Sequence, residues 1–362
     1  MTRARAGVLA LAAVSGCGHA PEAAPGTPAP LTPAPMMVAP SAAEAEASLD
    51  PPLLFHLALD ADRAGDTARA RGLYERLLAA HPDSELGAAA RFNLALIAET
   101  AHAFDVAALR YTEIGATPAP AADRDRRTWI DANFRLGVVL SKLEDWWRAV
   151  AAFDRILEAP WIGSDDRLEA LVGRGIALKQ AGDSEAASLT FAHALSVYRR
   201  ASADGPFEDR GLAAEAAYWA GEIKAERYEA VRLELPESVL KERLDAKCQL
   251  LLEAQALFLH AIRLGDSHTA AVAGLRVGGL YESLYGMIVS LEVPTDLNPE
   301  EAAVYTDEVK GKVMILVRKA LVVYERSLQA GRRAPSAAPW VARLEEAVSR
   351  LRTVYLMKEG GT

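Results

Sequence analysis

From Pro51 onward apolar residues recur at the spacing that gathers them on one side of an α-helix, so the body of the chain is expected to be helical with almost no strand. A longer period runs through that rhythm. Counting from Pro51, Leu57-Ala58 fall at the seventh and eighth places, Gly65-Asp66 at the fifteenth and sixteenth, Ala70 at the twentieth, Tyr74 at the twenty-fourth, Leu77 at the twenty-seventh and Pro82 at the thirty-second. This pattern predicts two helices joined by a tight turn. A small eighth residue lets the first helix approach the second, glycine relieves the turn, and a small twentieth residue lets the second helix pack back. Tyr74 fills the gap between them, Pro82 ends the second helix, and Asp66 is placed to cap its start.

The same set returns along the chain. A second pair offers Leu94-Ala95, Ala98, Phe104, Ala107, Tyr111 and Ile114, and a third offers Leu136-Gly137, Leu140, Asp145, Ala149, Phe153, Ile156 and the nearby Pro160. A fourth has Gly175, Leu178, Gly182-Asp183, Ala187, Phe191 and Ala194, with Arg174 where a large apolar residue is expected. Beyond Ala201 the spacing stretches. Ala217 to Arg227 reads as a first helix whose partner, with Ala254, Phe258 and Ala261, follows an insertion near Leu235-Pro236. Gly274 to Tyr285 pairs with Ala320, Tyr324 and Ser327 across the loop from Val293 to Pro299. A last amphipathic helix, about Trp340 to Met357, would close the open apolar end.

These positions resemble the 34-residue tetratricopeptide repeat. The resemblance implies an all-α, right-handed superhelical α-solenoid, with regular repeats over residues 48–200 and lengthened pairs plus a C-terminal cap over 201–358. It also implies a concave groove lined by the first helices. Of the groove places, the fifth is Phe55, Phe92 and Phe134, the ninth is Leu59, Leu96 and Val138, and Asp62, Glu99 and Lys142 are among the polar ones. An apolar ladder with charged edges suits an extended or helical peptide. The alternative reading is that the phenylalanines pack between successive first helices. Trp146-Trp147, with Trp129 and Trp161 near in sequence, is the densest aromatic stretch; neighbours on a helix cannot both face one core, so one of the pair is expected outside.

Ahead of this body, Arg3 and Arg5 precede the apolar Ala6 to Val14 and then Ser15-Gly16-Cys17. Such a basic start, short apolar run and small residues before cysteine resemble a bacterial lipoprotein signal over residues 1–17. The resemblance implies cleavage before Cys17 and lipidation of that residue. Residues 18–47 are rich in Pro and Ala, a composition that cannot bury a core and favours an extended tether.

Composition narrows the chemistry. The net charge of −9 would repel phosphate backbones, so nucleic acid is not an expected partner. Cys17 and Cys248 are the only cysteines, and with Cys17 lipidated no disulfide or zinc cluster can form; Cys248 is expected to be a small buried hydrophobe. The seven histidines show no ligand spacing, and His81 is expected to be a solvated turn residue, so no metal is predicted. No phosphate loop, dinucleotide fingerprint or nucleophile elbow is present, and no cofactor is predicted. Gly278-Gly279 lies in a helical pattern where it permits close helix contact. The acid pairs Glu300-Glu301 and Glu345-Glu346 point about 100° apart on a helix and read as solvated faces.

The expected function is therefore a non-catalytic scaffold, resembling the tetratricopeptide lipoproteins that help assemble outer-membrane, pilus, secretion or motility machinery. Its partners would be other envelope proteins or peptides, and it would sit on the periplasmic side of the outer membrane, held by Cys17. Gly18, with no Asp after the cysteine, is compatible with outer-membrane sorting. An envelope enzyme or accessory acting on cell-wall glycan would instead need a cleft with two carboxylates, and a peptide- or solute-binding module a deep closed pocket. The sequence leaves the oligomeric state open.

Overall fold

The computed structural model describes residues 49–205, 209–233, 237–293 and 297–359, and among them are thirteen α-helices and no strand. The leader, the Pro/Ala-rich segment and Cys17 lie outside the described residues, as do Leu235-Pro236 and the centre of the Val293 to Pro299 loop. The helices run as six pairs. They are α1 (Pro51–Arg63) and α2 (Thr67–Ala80), α3 (Gly87–Thr100) and α4 (Phe104–Gly115), α5 (Asp123–Lys142) and α6 (Trp146–Glu158), α7 (Ser164–Gln180) and α8 (Ser184–Asp204), α9 (Arg210–Ala230) and α10 (Glu237–Leu264), and α11 (Ser267–Val289) and α12 (Pro299–Gly331). A single 3-10 turn and α13 (Ala338–Glu359) follow. The stretching anticipated after Ala201 is concentrated in two second helices, α10 with 28 residues and α12 with 33.

Each helix packs on its neighbours in sequence and on little else, which makes the body a solenoid. From α3 onward each first helix also meets the first helix of the next pair, with α13 completing the series, and the second helices do not approach one another to that extent. The first helices therefore lie on the inner side of the curve.

One interlock recurs within the pairs. Tyr74, Tyr111, Phe153, Phe191, Phe258 and Tyr324, one from each second helix, are all buried. From the third pair onward each meets a glycine of the first helix so closely that no side chain would fit. A Cβ built on Gly137 would lie 2.5 Å from Phe153 Cζ, one on Gly175 2.5 Å from Phe191, and one on Gly221 2.9 Å from Phe258. Gly278 meets the Tyr324 ring in the same way and Gly274 meets Ser327, whereas Gly279 touches only the Tyr324 hydroxyl at 3.8 Å. Of the Gly278-Gly279 pair, it is Gly278 that permits the helix contact. In the first two pairs buried Ala58 and Ala95 hold this place.

The turns inside the first four pairs are also equivalent. Gly65, His102, Glu144 and Gly182 each occupy the fifteenth place, and all four have positive φ, at 79°, 59°, 58° and 89°. Glycine accepts this conformation freely, but a side chain there costs about 1–2 kcal/mol. Glu144→Gly is therefore expected to stabilise the protein by about 1 kcal/mol, read as a rise in the urea midpoint; an unchanged or lower midpoint would show that the Glu144 side chain outweighs the strain. In the next position Asp66 and Asp183 cap α2 and α8 by accepting from the Arg69 and Ala186 amides at 3.1 and 2.9 Å.

Two polar expectations are corrected. Glu301 is not simply a solvated face: its carboxylate accepts from the Asn298 amide at 2.9 Å while Asn298 accepts from the Glu301 amide, a capping box that starts α12. His81 is half-buried rather than solvated, and its Nε2 donates to the Leu49 carbonyl at 3.1 Å, tying the chain entering α1 to the end of α2.

Candidate interaction surface

The predicted ladder lies on the first helices α1, α3 and α5, and every rung touches the aromatic residue of its own pair. Phe55 meets the Tyr74 ring edge-on at 5.6 Å, Phe92 meets Tyr111 in the same geometry at 5.6 Å, and Phe134 tilts onto Phe153 at 6.4 Å. Phe55 and Phe92 are half-buried, while Phe134, 9% exposed, joins a core cluster with Trp129, Ile130, Phe153 and Ile156. Leu59 and Leu96 are half-buried and Val138 is 40% exposed. The rings thus support the interlock from the side, and the open apolar surface shifts toward the ninth-place residues.

Charge is arranged beside this ladder in a way that sequence spacing did not reveal. Each first helix from α3 to α13 is joined to the next by an ion pair. Glu99 meets Arg135 at 3.3 Å and Lys142 at 3.8 Å, Arg127 meets Asp166 at 3.2 Å, and Lys179 meets Glu226 at 2.7 Å. Arg276 reaches Glu222 at 2.7 Å and Glu229 at 3.3 Å, and Arg350 of α13 donates to Glu282 at 2.8 Å. Individually such partly exposed pairs contribute about 0–1 kcal/mol, so their consequence is alignment of the first helices more than stability.

Two of these acids also accept from the interlocking tyrosines: Tyr111 donates to Glu99 at 3.0 Å and Tyr324 to Glu282 at 3.0 Å. Burial, with the neighbouring carboxylate adding to it, raises both phenols above their ordinary range and keeps them protonated donors. Glu99, expected as an open groove position, is thereby committed to Tyr111, Arg135 and Lys142, while Asp62 is exposed.

Arg174, the odd residue of the fourth pair, is half-buried and bridges three helices. It donates to Asp154 of α6 and to the Thr190 hydroxyl of α8, each at 2.6 Å. Lys247 is buried, its ammonium donating to the Tyr228 and Val231 carbonyls at 2.6 and 2.7 Å and lying 4.0 Å from the Tyr228 ring, so it closes the carbonyl end of α9. Burial lowers its pKa. Neither role carries a periodic signal, because each depends on a partner in another helix. Neighbouring Cys248 is a free thiol, half-buried rather than fully enclosed, with its pKa raised by burial.

Of the tryptophans, Trp147 is 59% exposed and Trp146 half-buried. Trp129 is buried against Trp161 at 5.9 Å and donates to the Thr117 carbonyl at 3.0 Å, while Arg126 lies over the Trp161 ring at 4.9 Å. No group of three or more His, Cys, Asp or Glu able to hold a metal ion occurs among the described residues, and no helix among them is long and apolar enough to cross a membrane.

The fold is an α-solenoid of helical pairs locked by one aromatic each, the class of protein that presents a repeat surface to other proteins. The tetratricopeptide repeat family model matches residues 53–84, which span most of the first pair. The match is confined to that pair. It is similar to a solved tetratricopeptide repeat protein from Parabacteroides merdae, with 14% identity, 82% of this chain and 98% of that one covered, and a TM-score of 0.37. A second, from Bacteroides fragilis, has 12% identity, covers 72% of this chain and 98% of its own, and has a TM-score of 0.35. No curated protein matches the chain. Tetratricopeptide repeats generally serve as non-catalytic surfaces for protein partners.

Proposed function

We propose that the protein is a non-catalytic adaptor of the bacterial envelope, anchored by lipid at Cys17 on the periplasmic side of the outer membrane, where it holds an envelope protein or peptide within an assembly complex. The observation that carries the binding role is the inner face of the first helices. There Leu59, Leu96 and Val138 repeat in register on α1, α3 and α5, and an ion pair fixes α3 against α5. A partner segment with apolar side chains at matching intervals would meet apolar rungs flanked by both signs of charge. The anchoring role rests on Val14-Ser15-Gly16-Cys17.

Cell fractionation and intact mass test the anchor. Wild-type protein should be found with membranes and carry acyl chains, and Cys17→Ser should move it to the soluble fraction. Three acyl chains, at about 0.8 kcal/mol per buried methylene, hold far more firmly than the marginal grip of one. An unmodified Cys17 in the mature protein would refute the anchor. Crosslinking on intact cells followed by mass spectrometry tests the partner class, and an absence of envelope proteins among the crosslinks would refute the location of the scaffold.

A further inference from the structure

We infer that helix α12 is a self-recognition surface, through which two copies of this protein pair by laying their α12 helices antiparallel. The residues Val304, Glu308, Gly311, Ile315, Arg318 and Val322 follow one another at alternating steps of four and three, so they form one stripe along the helix. All six are exposed, and the apolar Val304, Ile315 and Val322 are 61%, 48% and 42% exposed. From Pro299 to Leu316 the helix contains no fully buried residue. Leu252 of α10, 58% exposed, lines a shallow groove of about 450 Å³ beside Ile315 and Val322 and extends the apolar area.

The order of residues within the stripe identifies the occupant. Read backwards against itself, the stripe places Val304 on Val322, Glu308 on Arg318 and Gly311 on Ile315, and the twofold axis repeats each contact. Glycine leaves the hole into which the isoleucine of the other copy fits, and opposite charges meet in both flanking layers. A parallel pairing would set Glu308 on Glu308, Arg318 on Arg318 and Ile315 on Ile315, a mismatch in both charge and shape. The intrahelical pair of Glu308 with Lys312, at 3.6 Å with both side chains mostly exposed, is too weak to compete. The stripe spans about 27 Å at 1.5 Å per residue, which is short for a permanent interface and fits reversible, concentration-dependent association.

Sedimentation velocity of the full chain over a range of concentrations tests the inference. The wild-type protein should pass from monomer to dimer as concentration rises. Ile315→Glu should weaken the dimer by more than tenfold while leaving the circular dichroism melt unchanged, because Ile315 is already half in solvent. Gly311→Leu should do the same by filling the hole, and it favours the helix, so loss of the dimer could not be attributed to unfolding. Glu308→Arg and Arg318→Glu should each weaken association about tenfold by creating two like-charge contacts, and the two together should restore it. A monomer at every concentration would overturn the inference. So would a dimer indifferent to Ile315→Glu and Gly311→Leu, or a double exchange no tighter than the single ones.

Discussion

Replacing Gly137 with leucine is expected to destabilise the protein by about 3 kcal/mol, the upper end of ordinary core overpacking. The first carbon of the new side chain would already stand 2.5 Å from Phe153 Cζ, and the ring has nowhere to retreat. On its other side is α7, where a Cβ on Gly173 would also lie 2.5 Å from the same atom, so the ring edge is held between two glycines from different helices. Relief requires α5 to move away from α6, and α5 is also bound to α3 and α7 through Glu99 and Asp166. Urea unfolding measures the effect. Gly72→Ala is the matched control: nothing lies within 4 Å of a Cβ there, and it should stabilise α2 by about 0.5–1 kcal/mol through helix propensity alone. Equal midpoints for Gly137→Leu and wild type would mean that Gly137 does not face Phe153.

The glycine-to-aromatic interlock was legible because its parts sit at fixed separations within one repeat, so a single sequence displays it several times. The same interlock forms in the stretched pairs, where Gly221 meets Phe258 and Gly278 meets Tyr324. The turn glycine was legible at Gly65 and Gly182 but hidden at His102 and Glu144, since a backbone that already has its neighbours in place can force positive φ on other residues. What periodicity could not show is pairing between repeats. Arg174 looked like a misplaced charge and Glu99 like an open groove residue, yet these two, like Lys247, are fixed by groups 12 to 43 residues away on other helices. The ladder lay between these cases: its register was visible, but how deep each ring sits depends on the curvature with which one pair meets the next.

That depth decides what the double substitution Phe92→Ser with Phe134→Ser will do. Phe134 is packed among Trp129, Ile130 and Phe153, so its truncation alone should cost about 3–5 kcal/mol, with half-buried Phe92 adding to the loss. The two sites lie on adjacent first helices that share the Glu99–Arg135 pair, so their effects need not add. The N-terminal pairs are expected to melt well below the wild-type temperature, and any loss of partner capture by this variant would follow from unfolding. Binding is tested one rung over. Val138, 40% exposed and one turn from Phe134, can become Arg with a stability change within about 0.5 kcal/mol, because its side chain already meets solvent. If the inner face of the first helices receives a partner, Val138→Arg should abolish crosslinking to it while the melting curve stays in place. Undiminished crosslinking by a stably folded Val138→Arg protein would move the binding surface off this face, and a stable Phe92→Ser/Phe134→Ser protein would show that the rings, after all, do not hold the pairs together.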